Sequence, residues 1–196
     1  MRIFGRPRRE RQVNRTDRVR EASRIAALLL IGVGLWRMFA TPMIAKIVVS
    51  KTERRLTAFG PDGGVVASFP VVVGRSPLGT KEREGDRRTP EGEYYVCFKN
   101  PKSQFHRSLG LSYPNTADAE RGLAQGAITR AEYEEIVAAD RARRIPPWKT
   151  ALGGEIFIHG AMEGRDGTAG CVAIRNEDIE RLFPEVAVGT PVVIEP

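Results

Sequence analysis

The chain has 196 residues and a formal charge of +7, enough length for one ordinary domain with a further segment. Residues 1–24 hold nine arginines against Glu10, Asp17 and Glu21, a net +6 that leaves the rest of the chain at +1. Basicity gathered in one arm excludes a nucleic-acid-binding face on the folded part. The two cysteines and two histidines are too few and too scattered for a zinc site, which needs three or four ligands, so no metal or cofactor is expected.

The basic arm (1–24) leads into an apolar run, Ile25 to Trp36, then Arg37, then Met38 to Ala45. Positive charge before an apolar run is the arrangement of an exported or membrane-held chain. Two readings of 25–45 stand. One is a signal peptide cleaved after Ala40 or Ala45. The other is an uncleaved anchor in which Arg37 snorkels to the outer interface. Either reading exports residues 46–196 and places them in the periplasm, with the cytoplasmic membrane as a partner of the N-terminal segment.

From Lys46 the pattern turns to strands. Lys46–Ser50 and Arg54–Phe59 are short strands about a polar turn, Pro61-Asp62-Gly63-Gly64 is a turn signal, and Val65–Val73 is a valine-rich strand. A long polar loop, 74–92, ends in Thr89-Pro90-Glu91-Gly92. Proline fixes φ there and glycine permits positive φ, so this reads as a rigid turn. Glu93–Lys99 is the next strand, with Cys97 among apolar neighbours as a buried thiol.

Leu109 and Leu111 alternate in a strand that ends before Tyr113-Pro114-Asn115. His106, Ser108 and Tyr113 in this stretch are candidates for substrate binding. For His106 two readings stand, a residue lining a substrate cleft or a satisfied strand histidine. Residues 116–143 form a helical insertion. Asn115 or Thr116 can cap a helix over Ala117–Leu123, and Thr129-Arg130-Ala131-Glu132 is a capping box for a second one that stops at Pro146-Pro147. Tyr133, Ile136 and Val137 at helical spacing are core contacts. Trp148 either covers apolar substrate or packs. Asn176 caps a last helix over Glu177–Phe183, and Val192–Glu195 closes the chain as a strand.

One of the two histidines and one of the two cysteines fall close together. Glu155-Ile156-Phe157-Ile158-His159-Gly160 is a buried strand ending in a histidine, and Thr168-Ala169-Gly170-Cys171-Val172-Ala173-Ile174 holds a cysteine in a tight turn. The thiolate is the reactive form of cysteine, and an adjacent imidazole can take the thiol proton and return it to a leaving amine. Gly160 offers a carbonyl to fix the imidazole tautomer. Ala169 and Gly170 offer N–H groups for an oxyanion hole, a device worth about 10²–10³ in rate per donor. A structural histidine beside a buried thiol is the competing reading, and a Cys97–Cys171 disulfide is a rival in an oxidising compartment.

The His-Gly pair, the loop and the Gly-Cys pair followed by Asn176-Glu177-Asp178-Ile179-Glu180-Arg181-Leu182 resemble the signature of the YkuD-type L,D-transpeptidases. Many members place an arginine two residues after the cysteine. Here that place is Ala173 and the nearest arginine is Arg175, which joins the candidates for substrate binding. The Tyr113-Pro114-Asn115 run with Cys171-Val172-Ala173 resembles a YafK-like subgroup. The resemblance covers about 46–196. It implies a β-rich α+β fold, a mixed β-sandwich or barrel with the helical insertion at 116–143.

The resemblance also implies catalysis on peptidoglycan stem peptides, with Cys171 as nucleophile and His159 as base. The cysteine attacks the carbonyl at the L-centre of the position-three diamino acid, D-Ala leaves, and an amine takes the acyl group from the thioester. That amine belongs to another stem or to a wall-linked lipoprotein. Water in the acceptor's place makes the same site a hydrolase of cross-links or of lipoprotein links. A wall-binding module with a structural Cys171 is the reading from another class.

Overall fold

A computed structural model describes residues 43–164 and 166–196. The basic arm and nearly all of the apolar segment at 25–45, with its signal-peptide and anchor readings, lie outside the described residues. Among those residues no helix is long and apolar enough to cross a membrane.

The chain begins with three antiparallel neighbours, β1 (Lys46–Ser50), β2 (Arg55–Phe59) and β3 (Val65–Pro70). Alternation decides which face each strand buries. Ile47 and Val49 in β1, and Leu56 and Ala58 in β2, are fully buried while their neighbours are not. Burying each of the larger of these side chains stabilises the fold by about 1.5–3 kcal/mol. Between β2 and β3 the Asp62 carboxylate accepts the Gly64 N–H at 3.0 Å, and Gly63 takes a φ of 78°.

After the long loop come β4 (Gly92–Ser103) and β5 (His106–Leu111), then two helices, α1 (Thr116–Ala124) and α2 (Arg130–Arg141). The short strands β6 (Phe157–His159) and β7 (Val172–Ala173), the helix α3 (Asn176–Glu185) and the strand β8 (Pro191–Glu195) complete the chain. The eight strands form one sheet in the order β3-β2-β1-β8-β4-β5-β6-β7. β8 lies between β1, to which it runs parallel, and β4, to which it runs antiparallel. The last strand in sequence is thus a central one.

The sheet curls until its ends meet. Beyond β3 the chain leaves β2, and Val72 exchanges hydrogen bonds with Ala173 of β7 at 2.9 and 2.8 Å. The expected strand over Val65–Val73 therefore stops at Pro70, and the expected sandwich or barrel is a half-barrel of mixed strands with three helices. One core fills it, drawn from both halves of the sheet and from Ile179, Leu182 and Phe183 of α3. Lys99 tethers the end of α3 by donating to the Phe183 and Val186 carbonyls at 2.6 and 2.5 Å.

The two helices of the insertion carry the expected capping boxes. Asn115 accepts from Asp118 N–H, and Thr129 accepts from Glu132 N–H. Ile136 and Val137 are buried, and Tyr133 packs on the small cluster of Ala119, Ile128, Ile136 and Leu152. The insertion is joined to the sheet through Tyr94, whose hydroxyl donates to Asp118 at 3.1 Å, and Tyr113 donates to the Leu152 carbonyl, beyond the insertion, at 2.9 Å. For α3 the expected cap is corrected. Arg175 holds the cap position without a side-chain cap bond, and the Asn176 side chain turns instead to Ala161 N–H at 2.8 Å.

Loop 74–92 is held by buried charge. Lys51 donates to the Gly79 carbonyl at 2.7 Å and to Glu91 at 2.5 Å. Lys81 pairs with Asp86 at 2.9 Å, their side chains only 4% and 8% exposed. Burial by itself would raise the Asp86 carboxyl. The N–H groups of Glu82, Arg83 and Arg88 together with Lys81 outweigh it and hold the carboxyl below its ordinary value. A depressed carboxyl contributes stability that is complete above its unfolded-state pKa and is lost as pH falls through the depressed value. Asp86→Ala leaves Lys81 buried without its partner and is expected to lower stability by about 3 kcal/mol. Denaturant unfolding at pH 7 and pH 3 checks this, with the gap between variant and wild type narrowing in acid.

Candidate active site

β6 and β7 lie side by side and parallel, with Ile158 opposite Val172 and His159 opposite Ala173. Side chains alternate along a strand, so Ile158 and Val172 enter the core, and His159 shares a face with Ala173 and with Cys171 two residues before it. The register brings the histidine and the cysteine of the motif to one face of one strand pair. His159 is 3% exposed and Cys171 is half-buried.

The imidazole is oriented from two sides. Its Nδ1 lies 2.5 Å from the Gly160 carbonyl, so in the neutral ring Nδ1 carries the hydrogen and Nε2 is the basic nitrogen. The Phe105 ring stacks on it at 4.6 Å between centroids. Gly160 has no room for a side chain. A Cβ there would stand 2.5 Å from Asn176 Oδ1 and 2.9 Å from the Phe105 carbonyl. The bond from Ala161 N–H to Asn176 ties the next residue to the start of α3.

The cysteine is set by its turn. The Thr168 hydroxyl donates to the Cys171 carbonyl at 2.6 Å and accepts the Gly170 N–H at 3.0 Å. Gly170 adopts a φ of 142°, and a Cβ on it would come 2.9 Å from the Arg88 carbonyl. The Gly170 N–H is engaged inside the turn, which corrects its expected part in an oxyanion hole; the residue serves by its conformation. Ala169 lines the cleft. The Phe157 N–H points at Cys171 Sγ at 3.4 Å, and Sγ lies 3.6 Å from the Glu155 carbonyl. An N–H aimed at sulfur favours negative charge there.

Cys171 opens into a cleft of about 1070 Å³. One wall is Pro147–Gly154, the segment that follows the insertion, and another is Lys81, Glu84 and Gly85 of the long loop. The loop is fastened to the turn that holds Cys171. Thr168 N–H donates to the Val73 carbonyl at 2.9 Å, Arg75 N–H donates to the Thr168 carbonyl at 3.1 Å, and Gly74 N–H donates to the buried Thr89 hydroxyl at 2.9 Å. Thr89 is the first residue of the rigid Thr-Pro-Glu-Gly turn.

The remaining candidates lie elsewhere. His106 donates to Glu180 at 2.7 Å and is not among the residues lining the cleft, as a satisfied strand histidine would behave. Ser108 is buried opposite His159 in the β5–β6 register. Tyr113 is fully buried, its ring edge-on to Tyr94, so the expected contact with substrate is corrected to a core role. Arg175 is bound at 2.9 Å by Asp178, which raises its already high pKa, and it too is absent from the cleft lining. No disulfide joins Cys97 to Cys171. Thr168, Phe105 and the Asn176 side chain are site residues that sequence reasoning did not assign. Thr168 and Asn176 had a signal, their places in the motif; Phe105 had none.

A family model for the YkuD L,D-transpeptidase catalytic domain matches residues 44–194. The YafK protein of Escherichia coli strain K12 is 25% identical over 142 residues, a match that takes in 70% of this chain and 45% of YafK. The chain thus spans less than half the length of that curated relative. Among solved structures, the helical cell shape determining protein Pgp2 of Campylobacter jejuni (K307A mutant) aligns at a TM-score of 0.54 and 24% identity, covering 78% of this chain and 47% of Pgp2. Bd1075 of Bdellovibrio bacteriovorus aligns at 0.51 and 24% identity, covering 79% and 48%. Both likenesses concern the fold. The family match spans most of the chain and includes the His-Gly and Gly-Cys elements just described, so the chain belongs to the YkuD L,D-transpeptidase catalytic domain family.

Proposed function

We propose that this protein is a cysteine-dependent acyl transferase of peptidoglycan stem peptides. His159 Nε2 removes the Cys171 proton, and the thiolate attacks the carbonyl at the L-centre of the position-three diamino acid. The C–N bond to the following D-residue breaks, its amine takes the proton from His159, and the acyl group remains on Cys171 as a thioester. An acceptor amine then attacks, gives a proton to His159 and releases Cys171. The Ala169 N–H, in the Thr168–Cys171 turn, steadies the oxyanion of each tetrahedral step. The observation that carries the reading is the pairing of a cleft-lining Cys171 with a buried His159 whose tautomer leaves Nε2 basic.

A second reading, hydrolysis, uses the same thioester with water as acceptor. The exposed Lys149 and Glu155 in the cleft lining favour it, because they keep that space wet. Its substrates are cross-links or links between the wall and a lipoprotein. On either reading the enzyme works outside the cytoplasm, in the periplasm, brought there by its N-terminal segment and either released or held at the inner membrane. A part in wall organisation and cell shape follows from that place and substrate.

Mass spectrometry of products separates the readings. With tetrapeptide muropeptides, and with a muropeptide still carrying a lipoprotein-derived lysine, cross-linked or amine-exchanged products are expected from wild type and none from Cys171→Ala. Products of water addition that require Cys171 decide for the hydrolase. No Cys171-dependent product from folded protein sinks both and leaves a wall-binding module. His159→Ala is expected to lower turnover about 10²–10⁴-fold.

Thiol chemistry offers an independent check. Burial pushes the Cys97 thiol up to about 11, so at pH 7 it has almost no thiolate. Iodoacetamide on native protein is expected to label Cys171 and spare Cys97, and to label both in denaturant. Peptide mapping reads the outcome, and native labelling of Cys97 in preference to Cys171 would contradict the assignment.

A further inference from the structure

The wall formed by Pro147–Gly154 contains two polar atoms that its own packing does not satisfy. Trp148 Nε1 and Thr150 Oγ1 are shielded from water, and among the described residues neither has a hydrogen-bond partner. Thr150 as a whole is 7% exposed, and both residues line the cleft into which Cys171 opens. Buried donors are nearly always paired, and an unpaired one destabilises the state that holds it.

The indole is retained by its ring alone. It meets Phe157 edge-on at 5.9 Å between centroids. It also lies against Gly154, where a Cβ would stand 2.5 Å from its own Cβ and Cδ1. Phe157 is the residue whose N–H points at Cys171 Sγ, so the indole touches a neighbour of the nucleophile. The wall is stiff at one end, Pro146-Pro147, and at the other Gly153, with a φ of 77°, is buried and donates to the Thr150 carbonyl at 2.9 Å. Side chains with unmet donors are stabilised in whatever conformation offers them an acceptor.

We infer that Trp148 Nε1–H and Thr150 Oγ1–H form a subsite for a carboxylate of the acyl-donor peptide, reached when the indole turns out of its packed position. The inference rests on the stem-peptide reading above. Indole nitrogen only donates and a threonine hydroxyl can donate, so two such groups two residues apart suit the two oxygens of one carboxylate. Exposed Lys149 lies between them in sequence and adds positive charge. The donor peptide has two sources of this group, the carboxylate of the leaving D-residue and the side-chain carboxylate of the diamino acid.

The test uses Trp148→Phe, which keeps an aromatic ring, and Thr150→Val, which keeps the shape. Each is expected to raise KM about tenfold with a smaller change in kcat, as for loss of one hydrogen bond to a charged group. Iodoacetamide labelling of Cys171 is expected to be unchanged. Tm is expected to hold or rise for Thr150→Val, which removes an unmet polar atom at constant volume, and to fall slightly for Trp148→Phe, which also leaves a small void. A donor peptide amidated at the recognised carboxylate should lose the same tenfold on wild type and nothing further on Thr150→Val; amidation at the other carboxylate should have no effect. If wild type is active and both variants keep its KM, the subsite is overturned and the functional reading stands. A lowered Tm with unchanged KM makes the two residues structural and overturns it equally. If wild type turns over no stem peptide although Cys171 labels normally, the functional reading fails and the subsite falls with it.

Discussion

The two ends of the curled sheet meet where Val72 bonds Ala173 and Gly74 adjoins Thr168, and the placement of the candidate nucleophile depends on that closure. β7 has two residues and β6 has three, too little ladder to hold a reactive turn by themselves. The strand beyond β3 supplies the missing partner on the open side. Thr168 then serves as a hub, with its backbone bonded to Val73 and Arg75 and its hydroxyl bonded within the turn. Gly74 belongs to the same hub, since a Cβ on it would run into the Arg87 carbonyl. Strand pairing among residues about 100 positions apart in sequence thus becomes geometry at one sulfur atom.

Charge has two separate uses in this fold. Around loop 74–92 it is structural, for Lys51 and Lys81 bring buried ammonium groups to carbonyls and carboxylates that would otherwise leave a long polar loop unanchored. On the far side of β5, His106, Arg107 and Glu180 form an exposed cluster that links the β4–β5 hairpin to α3. Glu180 is held below its ordinary value there, first by its bond to Arg107. Neither group contributes the candidate pair, Cys171 and His159. The pair is placed by backbone carbonyls, backbone N–H groups, one hydroxyl and an aromatic face.

Much of this was legible in the sequence, and the reasons are local. Ile47-Val48-Val49 is a β-branched run, Thr129 and Glu132 have capping-box spacing, and Tyr133, Ile136 and Val137 recur at helical intervals, so each could be read from neighbours alone. The Gly-Cys turn could be read because only glycine tolerates its φ. What could not be read depends on residues distant in sequence. Nothing near Asn176 says that its side chain prefers Ala161 to its own helix, and nothing near Gly170 says that Thr168 will take its N–H. The burial of Tyr113 likewise follows from Leu152, which comes after the whole insertion. The fate of Val71–Val73 was hidden for the same reason, since its partner is the sheet's opposite edge.

The burial of His159 has a consequence for proton traffic. An imidazole 3% exposed, covered by the Phe105 ring and bonded at Nδ1, has little direct exchange with bulk water. In the proposed cycle the proton taken from the thiol passes to the leaving amine, and the proton taken in the second half-reaction comes from the nucleophile that arrives at the thioester. On the proposed mechanism the resting enzyme and the acyl-enzyme differ by one proton, which departs with the leaving amine and returns with the acceptor.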